Sequence, residues 1–106
     1  MSSFDLVDVG DGKFELSGDM SFMTAEQILR ASESSFAGQK NLQIDLSGVK
    51  KTDSAGLALL LEWMSRAKHA GGDIQFDAIP EKVHAIAQTA DVADLLGHSS
   101  SSSSKK

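Results

Sequence analysis

The sequence predicts an α/β domain in which a mixed sheet of about four strands packs against three to four helices. Near the start, two short segments with strand periodicity flank Gly10-Asp11-Gly12, a tripeptide suited to a tight hairpin. Over residues 42–77, strand, helix and strand patterns follow one another as in a β-α-β unit, whose strands are parallel and whose crossover is right-handed. A chain of 106 residues has room for one such core and not for two.

The first elements are predicted to be the hairpin and a helix. Residues 4–9 and 13–17 read as short extended segments, one on each side of the glycine-rich turn. Thr24, followed three residues later by Gln27, has the spacing of a capping box, in which two side chains satisfy free amides at a helix start. We therefore expect a helix to begin at this point and to end near Gly38.

The central unit contains the clearest change of periodicity. In residues 42–46 apolar and polar side chains alternate, as in a strand with one buried face. A helical pattern runs from Ser54 to about Ala70, where two glycines end it, and residues 73–77 form the next strand. Either Thr52 or Asp53 is suited to cap the helix, because a short side-chain oxygen there accepts a bond from a first-turn amide.

The end of the domain is predicted to be helical. Pro80 is suited to the first position of a third helix, where its missing N–H is harmless, and a last short helix covers residues 91–96. The closing serines and two lysines cannot bury apolar surface. We therefore predict a folded domain over residues 1–97 and a disordered Ser-rich tail over residues 98–106.

Composition narrows the classes of function. The formal net charge is −5 and no large basic cluster occurs, which argues against nucleic acid or anionic lipid headgroups as partners. Without cysteine, the chain has no disulfide framework and no thiolate metal site. No segment approaches the roughly 18 apolar residues that span a membrane, and the first residues lack a signal-peptide pattern. We expect a soluble, cytoplasmic protein without direct membrane insertion.

Catalytic and metal-binding groups do not assemble in the sequence. His69, His84 and His98 lack carboxylate or cysteine partners at ligand spacing, and no Gly-x-x-x-x-Gly-Lys-Ser/Thr loop is present to hold a nucleotide. A serine nucleophile needs a base within hydrogen-bond reach, and nothing near Ser54 supplies one. We predict no enzymatic activity, no metal and no cofactor.

The most informative segment lies where the central strand leads into the second helix. An aspartate-bearing strand is followed there by Asp-Ser-x-Gly-Leu. The segment resembles the signature of the STAS domain (sulfate transporter and anti-sigma factor antagonist), and the likeness extends from about Leu16 to Leu96. The matching residues are Asp45, Leu46, Ser47, Val49, Asp53, Ser54, Gly56 and Leu57. Where the family has Gly-Glu-Leu-Asp, this chain has Gly18-Asp19-Met20-Ser21 and lacks the second acid.

The resemblance implies a protein that binds another protein. Residues 56–61 and 67–74 are most similar to STAS subunits of ABC complexes that move phospholipids in Gram-negative bacteria. The implied partner is the ABC ATPase subunit, which would hold this chain at the inner membrane. The implied alternative is an anti-sigma kinase, which phosphorylates the serine at the position of Ser54 and so breaks the complex. The predicted interface consists of Lys51, Thr52, Asp53, Ser54, Ala55, Leu59, Glu62, Trp63 and Arg66.

Several of these residues have a structural alternative. Ser54 is either a helix-start residue whose hydroxyl satisfies a first-turn amide or a phosphorylation site. Leu59 and Trp63 lie away from the apolar stripe that packs on the sheet. They are either covered by neighbouring helices of the same domain or part of an exposed patch for a partner. Glu62 and Arg66, four residues apart, have the spacing of an ion pair along the helix surface.

Overall fold

One mixed sheet organises the computed structural model, which describes residues 3–99. Its strands are β1 (Phe4–Gly10), β2 (Lys13–Met20), β3 (Asn41–Thr52) and β4 (Asp73–Asp77), in the spatial order β1-β2-β3-β4. β1 is antiparallel to β2, whereas β3 is parallel to both of its neighbours. The helices are α1 (Ala25–Phe36), α2 (Ser54–His69), α3 (Glu81–Thr89) and α4 (Ala93–Ser99). The predicted α/β fold, a hairpin followed by a β-α-β unit, is therefore confirmed.

The hairpin between β1 and β2 depends on positive backbone angles at its tip. The φ angle is +96° at Gly10, +57° at Asp11 and +78° at Gly12. Gly12 excludes a side chain, because a Cβ atom there would lie 2.4 Å from the carbonyl oxygen of Asn41. β2 continues past its predicted end at residue 17 and runs to Met20. Its last residues are held by pairing with β3, which extends to Met20 opposite Thr52.

The hydrophobic core lies on one face of the sheet. Alternate residues of β2, β3 and β4 point to this face, as strand geometry requires. The strand residues of the core are Phe14, Leu16, Met20, Leu42, Ile44, Leu46, Ile74 and Phe76, and the helix residues are Ile28, Leu57, Leu59, Leu60, Trp63, Ala67, Val83, Ala87 and Leu96. All four helices therefore contribute to a single core.

The start of α1 differs from the predicted capping box. Thr24 has φ −116° and ψ −14°, and its side chain makes no capping hydrogen bond. Its hydroxyl instead donates to the carbonyl oxygen of Asp19 at 3.0 Å and accepts from the N–H of Ser21 at 3.0 Å. The capping-box prediction is wrong because this hydroxyl closes the loop between β2 and α1 instead of the first helical turn. The predicted end of this helix near Gly38 is confirmed, because α1 ends at Phe36 and Gly38 has a φ angle of +80°.

Leu59 and Trp63 lie in the core, so their assignment to an exposed partner patch is wrong. Their exposed fractions are 3% and 2%. The centroid of the Trp63 ring system lies 5.4 Å from that of Phe36 in α1 and 6.3 Å from that of Phe76 in β4. The second apolar side of α2 is therefore covered within the same domain, as the structural alternative proposed.

The C-terminal helices follow the predicted pattern with shifted ends. Pro80 is the N-cap of α3 and not its first residue. α4 extends to Ser99, past the predicted helix end at 96 and the predicted domain boundary at 97. The rest of the predicted Ser-rich tail, residues 100–106, lies outside the described residues. Across the described part of the chain, no helix combines the length and hydropathy needed to cross a bilayer.

Candidate partner-binding site

The first turn of α2 places a serine at the protein surface. Asp53 is the N-cap residue, and its Oδ1 accepts a hydrogen bond from the N–H of Ala55 at 2.9 Å, which decides between the two predicted caps. Ser54 is the first helical residue and is exposed. Its hydroxyl makes no hydrogen bond to any residue in the range 3–99. The hydroxyl is therefore free to contact another molecule.

Asp53 also joins α2 to the loop between β2 and α1. The N–H of Phe22 lies 3.1 Å from each carboxylate oxygen of Asp53. One carboxylate thus accepts from the first turn of its own helix and from Phe22, which lies 31 positions from Asp53 in the chain. Hydrogen bonds to an ionised carboxylate are stronger than those between neutral groups. The loop is therefore held directly beside Ser54.

The loop presents two large apolar side chains that were not among the predicted site residues. Phe22 and Met23 are each 80% exposed. Their signal in the sequence is that two adjacent large apolar residues stand between the second strand and the first helix and fit the periodicity of neither. In the structure neither side chain joins the core of the domain. Adjacent exposed apolar side chains are typical of protein interaction sites.

The loop is held on its other side as well. The N–H groups of Thr24 and Ala25 donate to the carbonyl oxygen of Ser21 at 3.0 and 2.8 Å. Together with the bonds of the Thr24 hydroxyl and the Asp53 carboxylate, they leave little freedom to the loop backbone. The backbone that carries Phe22 and Met23 is therefore held by hydrogen bonds on both sides, and such preorganisation lowers the entropy lost when a partner binds.

Thr52, a predicted interface residue, is inside the protein. Its side chain is 8% exposed, and the hydroxyl oxygen has no hydrogen-bond partner within the described residues. The oxygen lies against the backbone of Gly56, where a Cβ atom would come within 2.3 Å of it. Assigning the Thr52 side chain to the interface is wrong, because the strand alternation that exposes Lys51 turns its neighbour inward.

Glu62 and Arg66 are exposed and form an ion pair, with 2.9 Å between Arg66 Nε and a Glu62 carboxylate oxygen. Arg66 Nη1 also lies 3.1 Å from a carboxylate oxygen of Glu33 in α1. The hydrogen bonds with Glu62 and Glu33 raise the pKa of Arg66 above its ordinary value. Two turns or more of helix separate this cluster from Ser54, a rise of roughly 12 Å. The predicted interface therefore divides into two separate regions.

The residues that the structure brings together at the start of α2 define the docking surface. Its members are Phe22, Met23, Lys51, Ser54 and Ala55, and the Asp53 carboxylate joins its two chain segments through the N–H groups of Phe22 and Ala55. The docking surface combines large apolar side chains, an exposed hydroxyl and a lysine. This arrangement is suited to protein recognition, since it offers apolar contact together with a polar group that can bond a partner.

A family model described as Mlab, STAS domain matches residues 8–97 of this chain. Among curated proteins, the intermembrane phospholipid transport system binding protein MlaB of Escherichia coli (strain K12) is 39% identical over 54 residues. The same identity and length describe the match to MlaB of Shigella flexneri. Each match covers 50% of this chain and 56% of the relative, so the chain spans about half the length of the curated relatives it matches.

Solved structures share the fold at lower identity. The anti-sigma factor antagonist SpoIIAA in its unphosphorylated form superposes with a TM-score of 0.61 at 22% identity, over 86% of this chain and 83% of that one. A sulfate transporter family protein from Wolinella succinogenes superposes with a TM-score of 0.64 at 16% identity, over 89% and 77%. These likenesses establish the same fold, with the four-stranded mixed sheet and four helices described above.

Proposed function

This chain belongs to the STAS domain family, and from that premise we propose that it is a non-enzymatic accessory subunit of an ABC transporter. In this role it binds the ATPase subunit and stabilises or regulates it. The transported substrate is phospholipid, and the process maintains the lipid asymmetry of the outer membrane. The protein acts in the cytoplasm, peripheral to the inner membrane through its partner. The names of the MlaB relatives support this proposal.

The main structural support for this proposal is that Phe22, Met23 and Ser54 are all exposed next to the Asp53 carboxylate in the chain or through its hydrogen bond to Phe22. Burying two exposed apolar side chains against a partner contributes roughly 25 cal/mol for each Å² removed from water. Ser54, at the exposed start of α2, leaves room for close approach because its side chain is small. A rigid surface with apolar anchors at its centre is the arrangement that concentrates binding energy in a few residues.

Co-purification with the ABC ATPase tests the proposal. Ser54→Arg places a long cation at the centre of the docking surface, and the double substitution Phe22→Ser, Met23→Ser removes its apolar anchors. Both should abolish co-purification and leave the circular dichroism spectrum and the melting temperature nearly unchanged, since these side chains are exposed. The matched control is Val7→Ser, Val9→Ser, which removes two exposed apolar residues from β1, away from the docking surface. Undiminished binding by both site variants would refute the assignment.

A second candidate function is that of an anti-sigma factor antagonist regulated by phosphorylation of Ser54. The free, exposed Ser54 hydroxyl at a helix N-terminus is the observation that favours it. A phosphate would add about −1.5 to −2 units of charge beside the Asp53 carboxylate, and repulsion with desolvation would release a bound partner. Incubation with the cognate kinase and ATP should add one phosphate to the wild-type chain and none to Ser54→Ala. An active kinase that leaves the mass unchanged would exclude this function.

An affinity pull-down from the native organism distinguishes the two candidates. Recovery of an ABC ATPase together with its permease supports the transporter subunit. Recovery of an ATPase related to histidine kinases supports the anti-sigma factor antagonist. The Phe22→Ser, Met23→Ser variant serves as the control bait, because specific capture through the docking surface must depend on these two side chains.

A further inference from the structure

The central strand β3 is much longer than its neighbour β4. The two strands pair only where Asn41 to Asp45 face Asp73 to Asp77. Beyond that point Ala78 takes a φ angle of +58°, and the chain leaves the sheet toward α3. β3 nevertheless continues to Thr52, and it remains paired with β2 on its other side. Gly48 to Lys51 therefore form a sheet edge on the side where β4 has ended.

This edge carries backbone groups that no part of residues 3–99 satisfies. In a parallel strand, roughly half of the N–H and C=O groups point toward each neighbour. The N–H of Ser47 bonds the Asp45 carboxylate at 2.8 Å. From Gly48 to Lys51, the described residues supply backbone hydrogen bonds only through the ladder with β2. The outward groups of this segment have no backbone partner among the described residues, and a register shift between Val49 and Lys51 sets the spacing that a ligand strand would have to match.

We propose that the Gly48–Lys51 edge of β3 adds a strand from a partner protein, and that the added segment is extended and acidic. An extended backbone is the structure that satisfies an open strand edge, and the neighbouring side chains select its sequence. Lys50 and Lys51 are exposed, and neither forms an ion pair within the described part of the chain. In a chain of net charge −5, this edge carries two adjacent lysines without an ion pair to any described residue, and the acid nearest to them in the ladder is Asp19, which stands opposite Lys51 on the β2 side.

The same lysines disfavour a second copy of this chain as the occupant. Two copies paired along this edge would bring Lys50 and Lys51 of one copy beside those of the other, and like charges across a strand pair are destabilising. Lysines on open edges commonly prevent such self-pairing. An acidic strand removes the repulsion and gains attraction in its place. The inference goes beyond the proposed function, because it does not depend on which protein supplies the strand.

The test uses the full chain, labelled with ¹⁵N, and two short synthetic peptides of equal length. One peptide alternates valine with glutamate and the other alternates valine with lysine, and both are added at near-millimolar concentration. The acidic peptide should shift the amide signals of residues 48–51 and slow the exchange of their outward amides by about tenfold. The basic peptide should leave them unchanged. No effect of either peptide, or equal effects of both, would overturn the proposal.

A charge reversal provides the matched comparison. The double variant Lys50→Glu, Lys51→Glu should bind the lysine peptide in preference to the glutamate peptide. The control Lys68→Glu, Lys82→Glu changes two exposed lysines on α2 and α3 and should retain the original preference. If amides 48–51 become protected as the protein concentration rises without any peptide, the occupant is a second copy and the proposal is wrong.

Discussion

Trp63 donates its indole N–H to the hydroxyl oxygen of Ser32 at 2.9 Å, in the buried layer between α2 and α1. The Ser32 hydroxyl in turn donates to the carbonyl oxygen of Leu29 at 2.7 Å. Both side chains are almost fully covered, at 2% and 1% exposure. The bond therefore gives the only polar atom of the indole a partner in a place that water does not reach, and it links α1 to α2.

Ser32→Ala should destabilise the protein by about 1–3 kcal/mol, because it leaves a buried N–H without an acceptor. The free energy of unfolding from urea titration measures this loss. Trp63→Phe removes the donor and some packing, and Ser32→Ala should cost less in that background than in the wild type. Strict additivity of the two losses would contradict a coupling through this bond. Neither variant should change binding at the docking surface, since both side chains are buried.

Asp53→Ala should lower the free energy of unfolding by about 1–2 kcal/mol, as expected for the loss of a helix N-cap. It should also speed hydrogen exchange at the Phe22 amide, whose acceptor is the Asp53 carboxylate. Asp53→Asn keeps one acceptor oxygen. Its free energy of unfolding and its exchange rate at Phe22 should lie between those of the wild type and those of Asp53→Ala. Asp5→Ala, at an exposed position on β1, is the control and should change neither quantity. Unaltered exchange at Phe22 in Asp53→Ala would show that the loop is held by other contacts.

Gly56→Ala should destabilise the domain by about 1–3 kcal/mol through overpacking. Its new Cβ atom would lie 2.3 Å from the Thr52 hydroxyl oxygen and 3.0 Å from Met20 Cε. Thr52→Val, in contrast, should stabilise by about 1 kcal/mol, because it removes a buried hydroxyl that has no partner within the described residues. Thermal and urea unfolding of the two variants checks the opposite signs. A loss of stability in Thr52→Val would mean that the hydroxyl has a bonding partner after all.

Ala78→Gly should raise the stability by about 1 kcal/mol, because Ala78 has a φ angle of +58° that costs an L-residue more than glycine. Ala85→Gly is the matched control. It makes the same change at an exposed position inside α3, where glycine should destabilise by about 1 kcal/mol. Chemical denaturation distinguishes the two signs. Two losses of similar size would show that the backbone at Ala78 is not strained.

The local features of the fold could be predicted because neighbouring residues cause them. The glycine-rich hairpin, the alternation through Leu46 and the glycines after α2 each act over a few positions, and the structure confirms them. The Thr24 capping box failed for the opposite reason. Its hydroxyl had a choice of partners, and the carbonyl of Asp19, on the other side of the loop, became its acceptor.

By itself, the sequence determined the order of strands and helices, the family signature around Ser54 and the position at which α2 begins, because each depends on residues close together in the chain. The structure identified Asp53, and not Thr52, as the cap of that helix. Only the tertiary structure decided which apolar residues are exposed. Trp63 is covered because α1 packs against it, whereas Phe22 stays at the surface because Asp53 holds its backbone there. Burial depends on what lies nearby in space, and periodicity along one segment does not contain that information.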